Sequence, residues 1–248
     1  MNPDLELALA LADAADAITM RHFQSATLSV RTKADRTPVS EADEATEKML
    51  RERLAGERPH DGVVGEEFGS TGSGARRWIL DPIDGTKNYI RGVPVWATLI
   101  ALEENGVMSA GVISAPAIPR RWWAARGEGA YANGRRLQAS RVESLAEAFL
   151  SYDSVNDFDP PDRFLALVRQ CGRTRAFGDF WSHMLVAEGA IDVAVEPKIA
   201  LWDVAPIQVI VEEAGGRFTD LRGNATAGGG SVLTTNGVLH AAVLESLR

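Results

Sequence analysis

The spacing of apolar residues at the start of the chain predicts two helices with a short strand between them. Apolar residues recur every three or four positions over residues 4–23, which predicts an amphipathic helix. A strand-like piece follows at residues 27–32. Ser40 and Asp43 then form a capping-box pattern, which predicts a second helix that ends near Leu54. Asp43 is therefore expected in the first turn of that helix.

Two short apolar runs in the next part of the chain each end in acidic residues. Residues 63–64, two valines, precede Gly65-Glu66-Glu67, and residues 78–80, Trp-Ile-Leu, precede Asp81. Apolar runs of this kind, bounded by turn signals, are typical of buried strands. We therefore expect both strands to bring carboxylates to one edge of a sheet.

Later in the chain, runs of β character give way to alternating strands and helices. The runs at residues 95–103, 107–114 and 121–125 are separated by Gly and Asn turns and predict an antiparallel sheet. The patterns after residue 145 predict strands at 149–152, 174–177, 193–196, 217–220 and 232–235, and helices at 163–170, 179–188, 202–214 and from 237. Such alternation is typical of α/β architecture. No Pro-, Gly- or Ser-rich linker separates residues 1–145 from residues 146–248, so we expect one compact unit.

Composition and charge exclude several classes of protein. With 248 residues, 45% of them hydrophobic, the chain can bury the core of one large domain or of two fused subdomains. The apolar run at residues 5–18 contains three acids and follows no basic segment, so we expect neither a signal peptide nor a membrane span. A formal charge of −8 without a basic stretch argues against binding to nucleic acid or to anionic membranes. The single cysteine, Cys171, excludes an intramolecular disulfide and is typical of a reducing compartment, so we expect a cytoplasmic protein.

Residues 81–86, Asp-Pro-Ile-Asp-Gly-Thr, place two acids in a stiff loop. Pro82 fixes one backbone torsion, and Gly85 lets the backbone approach a ligand without a clash at Cβ. Two rigidly held carboxylates suit a hard cation such as Mg²⁺, whereas the four histidines are scattered and show no zinc-binding spacing. Thr86 can open a helical turn whose free N–H groups and hydroxyl face an anion. The alternative is an ordinary surface turn, because Pro, Asp and Gly are common turn formers.

Other acids also allow a purely structural interpretation. Glu66 and Glu67 can be loop charges, and Asp43 can be an acid favoured by the dipole at the start of a helix. Asp203 follows Trp202 and begins an apolar helix, so a role as an N-cap would explain it. None of these acids indicates a functional site when it is taken alone.

Taken together, the acidic motifs resemble those of the inositol monophosphatase family in order and spacing. The motifs that carry the resemblance are Gly65-Glu66-Glu67, Trp78 to Asn88 with its Asp-Pro-Ile-Asp-Gly-Thr centre, Leu201-Trp202-Asp203-Val204-Ala205, and Glu213-Ala214-Gly215-Gly216. They span nearly the whole chain. The resemblance implies a layered αβαβα sandwich, with a mixed or antiparallel N-terminal sheet and a smaller C-terminal α/β half. It also implies a homodimer that hydrolyses phosphate monoesters with Mg²⁺.

The resemblance further implies a role for each matching residue. The metal ligands, for two or three Mg²⁺ ions per site, would be Glu66, Asp81, Asp84, Asp203 and the backbone carbonyl of Ile83. The catalytic group would be Asp43, Glu66 and Thr86, with Thr86 paired to Asp43 and orienting the nucleophilic water. The phosphate would be bordered by Asp84, Gly85 and Thr86. Because several carboxylates would then share one cleft, we expect raised pKa values in the metal-free site.

Two acids in the later part of the chain indicate the alcohol side of the ester. In the family, the position matching Glu196 lies beside the non-phosphate end of the substrate, and inositol-specific members often carry a small residue near Asp179. Two carboxylates at these positions suit a cationic alcohol better than a neutral polyol. Residues 120–127, Arg-Arg-Trp-Trp-Ala-Ala-Arg-Gly, and the Gly178-Asp179 pair also resemble histidinol-phosphatase-type members. The expected substrate is therefore L-histidinol phosphate, an intermediate of histidine biosynthesis.

Several alternatives remain open from the sequence. Asp179 can simply cap the following helix, which would leave an inositol phosphatase or another sugar phosphatase. A bisphosphorylated adenosine would need basic residues for its second phosphate, and Arg173 and Arg175 are candidates, although alternating Arg residues in a strand usually face solvent. A non-catalytic regulatory member of the family is the alternative from another class. The intact acids argue against it, because the loss of one ligand cripples a two-metal site.

Overall fold

The computed structural model describes residues 2–248, and its N-terminal part consists of two helices on either side of a small hairpin. These elements are α1 (Pro3–His22), β1 (Val30–Thr32), β2 (Pro38–Ser40) and α2 (Glu41–Glu57). The strands β1 and β2 pair antiparallel. The predicted capping box is present at the start of α2, where Ser40 and Asp43 each bind the backbone of the other.

Eight strands form a large, mainly antiparallel sheet. They are β3 (Gly62–Gly65), β4 (Gly69–Thr71), β5 (Arg76–Asp84), β6 (Ala97–Glu104), β7 (Val107–Ala115), β8 (Arg120–Ala125), β9 (Gly129–Ala132) and β10 (Arg135–Arg136), with α3 (Thr86–Ile90) after β5. Their order in the sheet is β10-β9-β8-β7-β6-β5-β3-β4. Only β3 and β5 among these neighbours are parallel, and they pair Gly65 with Leu80. The residues that follow this pair, Glu66 and Asp81, therefore lie at the same end of the two strands.

The later part of the chain forms a second sheet of five strands. Its elements are β11 (Phe149–Tyr152), α4 (Asp162–Gln170), β12 (Arg173–Arg175), α5 (Asp179–Ala187), β13 (Val193–Glu196), α6 (Leu201–Glu213), β14 (Arg217–Thr219), β15 (Val232–Thr235) and α7 (His240–Leu247), with 3₁₀ turns at Val155–Asp157 and Ala227–Gly229. The strand order is β12-β11-β13-β15-β14. Strand β11 runs parallel to both of its neighbours, and the pairs that include β15 are antiparallel.

Helices and sheets stack in five layers. Helices α1 and α2 cover one face of the large sheet, and α5 and α6 lie between the two sheets. Helices α4 and α7 pack together on the outer face of the small sheet, where Phe164 and Val243 join Val193 and Leu233 in one apolar cluster. This αβαβα arrangement confirms the predicted fold class.

Strand β6 explains why the large sheet needs helices on both faces. Leu99 and Ala101 pack toward α5 and α6, whereas Ile100 and Leu102 pack toward α1 and α2. Successive side chains of a strand point to opposite faces, so an unbroken apolar run requires cover on both sides. Each large side chain buried in this way contributes about 1.5–3 kcal/mol.

Helix α6 lies unusually close to the large sheet. A Cβ atom on Gly111 of β7 would lie 2.8 Å from the Cα atom of Pro206 in α6, so only glycine allows this approach. The contact fixes the helix whose first turn carries Asp203.

The structure differs from the predicted elements in some element ends and in several short strands. Strand β1 begins at Val30 rather than at residue 27, and the last helix begins at His240 rather than at residue 237. The sequence did not predict β4, β9 or β10. The division of the chain at residue 145 stays a prediction. Within residues 2–248, no helix combines the length and the apolar character needed to cross a bilayer.

Candidate active site

The motif at residues 81–86 ends β5 and leaves the sheet through an irregular loop. The pairing of β5 with β6 shifts between Asp81 and Asp84, at the position of Pro82, which has no N–H to donate. The loop is held by its own polar groups: Ile83 N–H donates to Asp81 Oδ1 over 3.0 Å, and Thr98 Oγ1 donates to the Pro82 carbonyl over 2.8 Å. The surface-turn alternative therefore fails, because Asp81 is 1% exposed and Asp84 is 8% exposed.

Three of the predicted ligands come together at this loop. Oxygen atoms of Asp81, Asp84 and Asp203 all lie within 4.8 Å of one another. Asp203 reaches the cluster from the first turn of α6, where its Oδ2 also accepts a hydrogen bond from Ala200 N–H over 3.0 Å. Asp203 is therefore not the N-cap of α6, which is Ala200; it lies at the third position of the helix, where it binds the N-cap backbone and also joins the cluster. A buried set of carboxylate oxygens is the donor set that a hard divalent cation prefers.

Glu66 lies in the same cleft but is engaged by a lysine. Lys33 Nζ lies 2.7 Å from Glu66 Oε1 and 2.7 Å from Glu67 Oε1. These contacts raise the pKa of Lys33 despite its partial burial, so the ammonium stays charged. Burial raises the pKa of the Glu67 carboxyl to about 7, with the neighbouring Glu66 adding to the shift. No role could be predicted for Lys33 from the sequence, because nothing in the local pattern shows which acids a flexible lysine reaches.

Asp43 and Thr86 are paired as predicted. Thr86 Oγ1 lies 3.3 Å from Asp43 Oδ1 and 3.0 Å from the carbonyl oxygen of Ile83. The other carboxylate oxygen of Asp43 accepts hydrogen bonds from Ser40 N–H and Ser40 Oγ, over 2.8 and 2.6 Å. Asp43 is fully buried, and this burial raises its pKa to about 6. The carbonyl of Ile83, a predicted ligand, faces the same hydroxyl.

Gly85 brings the backbone of the loop close to β6. It has φ +82°, and a Cβ atom there would lie 3.1 Å from the carbonyl oxygen of Val95. Glycine adopts this left-handed conformation at no steric cost. It precedes Thr86, the first residue of α3, whose N–H has no partner within the helix. The backbone at Gly85 and Thr86 is therefore open to an acceptor group in the cleft.

The residues of the motif line one cleft of about 340 Å³. Its lining comprises Thr37, Pro38, Glu66, Asp81, Ile83, Asp84, Gly85, Thr86, Lys87, Asn88, Asp153, Asp179 and Asp203. Six of them are acids, and neither histidine nor cysteine is among them. Asp153 was not predicted from the sequence, because it lies in a loop after β11 and belongs to no local motif.

Asp179 lines the cleft from a turn in the later part of the chain. Gly178 and Asp179 both have positive φ, +69° and +49°, which is rare for a residue other than glycine. The side chain of Asp179 does not cap α5; its Oδ2 lies 3.3 Å from Asn88 Nδ2. The next N–H, that of Phe180, donates to Asp84 Oδ2 over 2.7 Å. The strained turn therefore brings Asp179 beside the motif, 95 residues along the chain from Asp84.

Glu196 lies deeper than Asp179. It is 7% exposed, its Oε1 lies 3.3 Å from His183 Nε2, and it does not line the cleft. The opposite ring nitrogen of His183 lies 2.8 Å from Thr234 Oγ1. Glu196 thus acts on the cleft through its charge: after burial, it is the next cause that raises the pKa of Asp179 to about 7.

The central acids also raise one another's pKa values. Burial followed by the charges of Glu66, Asp84 and Asp203 keeps the pKa of Asp81 well above its usual value. Burial likewise raises the pKa of Asp203 to about 7 and that of Asp84 well above its usual value. The pKa values of these three acids are thus raised in the direction expected for carboxylates that share one cleft. A cation in the cluster would reverse these shifts.

Comparison with known proteins agrees with this geometry. The model of the inositol monophosphatase family matches residues 1–248. The chain belongs to the inositol monophosphatase family. A histidinol-phosphatase of Mycobacterium tuberculosis is 53% identical to it, over 98% of this chain and 97% of that protein. A histidinol-phosphatase of Streptomyces coelicolor is 51% identical, over 98% of this chain and 96% of that protein.

Solved structures of the family share the same fold. The structure of an IMPase from Thermotoga maritima superposes with a TM-score of 0.89 at 30% identity, covering 98% of this chain and 96% of that one. The family resemblance and the αβαβα fold predicted from the sequence are thereby confirmed.

Proposed function

We propose that this member of the inositol monophosphatase family hydrolyses L-histidinol phosphate to L-histidinol and inorganic phosphate, with Mg²⁺ as cofactor. The observation that carries the proposal is a single cleft that two groups of acids line. Asp81, Asp84 and Asp203 form one group, with oxygen atoms within 4.8 Å of one another, and Asp153 and Asp179 form the other. The names of the two relatives that are more than half identical to the chain support the choice of ester.

The first group, Asp81, Asp84 and Asp203, fits Mg²⁺ as a set of ligands. All its side chains are carboxylates, two of them are nearly inaccessible to solvent, and burial together with the charges of neighbouring acids raises the pKa values of these two. The groups that would hold two or three ions are Glu66, Asp81, Asp84, Asp203 and the carbonyl oxygen of Ile83. When bound, Mg²⁺ would lower the pKa of a water molecule and neutralise charge on the phosphoryl oxygens.

Asp43 and Thr86 would orient the attacking water. The hydroxyl of Thr86 donates its single hydrogen bond to Asp43 Oδ1 or to the Ile83 carbonyl, which leaves its lone pairs free to accept a hydrogen bond from water. Asp43 is held in one orientation by Ser40, so the direction of the Thr86 hydroxyl is also set. This arrangement supplies the positioning that hydrolysis by water requires.

The backbone at Gly85 and Thr86 would bind the phosphate, with Asp84 bordering it. An N–H at the first residue of a helix has no internal partner and can donate to a phosphoryl oxygen. Lys87, which lines the same cleft, adds positive charge near this position. These groups bind a feature common to all phosphate monoesters and therefore give no selectivity for the alcohol.

Selectivity would come from the second group of acids that line the cleft. Asp179 and Asp153 face the same space, and Glu196 adds negative charge from behind Asp179. A cationic alcohol neutralises these acids, whereas a neutral polyol leaves them unpaired. Each charge-assisted hydrogen bond contributes about 1.5–3 kcal/mol, which is enough to separate the two classes of ester.

The proposal extends to the setting of the reaction. Hydrolysis of L-histidinol phosphate belongs to histidine biosynthesis, and the one cysteine, Cys171, is a free thiol that suits the cytoplasm. We also propose a homodimer of compact protomers, each divided near residue 145 into a part with the metal and phosphate groups and a part with the substrate-side acids.

A phosphate-release assay tests the proposal. The protein with Mg²⁺ is given L-histidinol phosphate, inositol monophosphate and fructose bisphosphate in parallel. We expect the largest kcat/KM for L-histidinol phosphate. A preference for inositol monophosphate or fructose bisphosphate would assign a sugar phosphatase, and no release from any ester would revive the non-catalytic alternative.

A further inference from the structure

One face of α2 carries three charged residues at successive turns, Asp43, Glu47 and Arg51. Residues four apart lie above one another on a helix, so these side chains point the same way. Asp43 contacts Thr86, on one side of the cleft. Glu47 and Arg51 contact the turn between β3 and β4, which carries Glu66 to the other side.

Glu47 is a fully buried carboxylate in a complete set of hydrogen bonds. Its Oε2 accepts from Glu67 N–H over 2.7 Å, and its Oε1 accepts from Phe68 N–H over 3.2 Å. Arg51 Nε donates to the same Oε1 over 2.7 Å. The two N–H groups belong to the residues directly after Glu66, so their direction sets where the Glu66 backbone leaves the sheet.

Arg51 ties the far side of the same turn to the helix. Its Nη1 lies 3.1 Å from Thr71 Oγ1, and its Nη2 binds the carbonyl oxygen of Gly69. The pair Glu47–Arg51 therefore grips the turn at both of its ends. A buried ion pair with its hydrogen bonds satisfied is geometrically strict, because breaking it leaves an uncompensated charge inside the protein.

Gly65 provides the space for this contact. A Cβ atom at Gly65 would lie 2.1 Å from Glu47 Oε1 and 2.4 Å from the Glu47 carboxyl carbon. Any larger residue would displace the carboxylate from beneath the turn. Position 65 therefore requires glycine because the Glu47 carboxylate fills the adjacent space, and not because of the backbone conformation of Gly65.

We infer that Glu47 is a positioning residue for the divalent cation. It does not line the cleft; it fixes the turn so that the Glu66 carboxylate is presented beside Asp81 and Asp203. Because it acts through Glu66, it sets the affinity for the cation and leaves the ester-binding groups unchanged. This inference rests on the proposed function only in assuming that the carboxylate cluster binds a divalent cation.

Binding of Mn²⁺, measured by electron paramagnetic resonance without any ester, tests the inference. In Glu47→Gln, the neutral amide cannot accept from both N–H groups while holding Arg51. Residues that orient metal ligands typically change metal affinity about 10- to 100-fold, and we expect a loss of that size. Glu52→Gln removes an exposed charge from the same helix and serves as the matched control, with unchanged Mn²⁺ affinity.

Gly65→Ala gives an independent test that keeps the Glu47 carboxylate. The added methyl group should displace it and weaken Mn²⁺ binding in the same range. The ester provides a second readout: at saturating Mg²⁺, KM for the ester should stay within about twofold of the wild-type value in both variants, because the phosphate and alcohol contacts are intact.

The outcomes separate this inference from the proposed function. Wild-type protein that binds no Mn²⁺ would contradict the proposed metal site itself. If the wild-type protein binds Mn²⁺ and a folded Glu47→Gln variant binds it with the same affinity, the positioning role alone is overturned. If that variant fails to fold, Glu47→Asp decides, since it keeps the charge for Arg51 but is one methylene too short for the turn; wild-type affinity there would also overturn the role.

Discussion

Glu196 Oε1 lies 3.3 Å from His183 Nε2, so the two acids expected from sequence to face the alcohol have different surroundings. Asp179 lines the cleft, whereas Glu196 is buried behind it with a histidine partner. Asp153, which lines the cleft with Asp179, takes the outer position. The acids that distinguish esters by direct contact are therefore expected to be Asp179 and Asp153.

Asp179→Asn should raise KM for L-histidinol phosphate much more than KM for a neutral sugar phosphate. The substitution removes one charge and keeps the shape, so the loss of about 1.5–3 kcal/mol corresponds to roughly a 10- to 150-fold increase in KM. Steady-state kinetics with both esters measure the difference. Equal losses on the two esters would sink the argument for a cationic substrate. For Glu196→Gln we expect the same direction and a smaller change, because that charge acts at a distance.

Asp153→Asn should have a similar but weaker effect, since Asp153 is more exposed to solvent than Asp179. We expect a rise in KM of about 3- to 10-fold for L-histidinol phosphate and no change for the neutral ester. Asp159→Asn, an exposed acid in the same loop, is the matched control. If Asp153→Asn and Asp159→Asn behave alike, Asp153 does not contact the alcohol.

The metal-free protein should lose stability as pH rises. Burial and neighbouring charges raise the pKa of Asp203 and of Asp179 to about 7, so the folded state holds protons that the unfolded state releases near pH 4. This contribution is fully present below about pH 4 and is lost as pH rises through 7, with a slope of at most about 1.4 kcal/mol per pH unit for each group.

Urea unfolding at pH 5.5 and at pH 8 in EDTA measures this loss. With saturating Mg²⁺ the decrease should shrink, because the cation stabilises the ionised acids and the folded state that binds it. In EDTA, the free energy of unfolding of Asp203→Asn should decrease less between pH 5.5 and pH 8 than that of the wild-type protein. A metal-free protein that is more stable at pH 8 than at pH 5.5, or one that is indifferent to Mg²⁺, would contradict the model of mutually repelling acids.

Much of the site could be predicted because its acids sit at recognisable local signals. Asp43 belongs to a capping box, Asp81 ends a buried apolar run, and Asp203 opens an apolar helix. These signals predict the element on which each acid lies. The resemblance of the motifs to those of the family then indicates that the acids share one site. The fold class follows for the same reason, since long apolar strands and alternating helices leave few ways to cover both faces of a sheet.

The missed features depend on contacts that no local pattern records. The ion pair between Lys33 and Glu66, and the hydrogen bond from Phe180 to Asp84, join residues that are 33 and 96 positions apart. Nothing in the sequence distinguishes Glu47 from a solvent-exposed acid on a helix, because Glu is almost never fully buried unless it is paired. Its burial depends on two partners: Arg51, which lies one helical turn further along α2, and the turn between β3 and β4, which packs against it.

The most direct test of the account is phosphate release from L-histidinol phosphate by the wild-type protein and by Asp84→Asn, each treated with EDTA and then titrated with Mg²⁺. The wild-type rate should rise from near zero to saturation. The variant should melt cooperatively yet release phosphate at less than about 1% of the wild-type rate, because the loss of one ligand removes several kcal/mol of charge stabilisation. Turnover by Asp84→Asn close to the wild-type rate, or wild-type turnover that does not depend on Mg²⁺, would contradict the account.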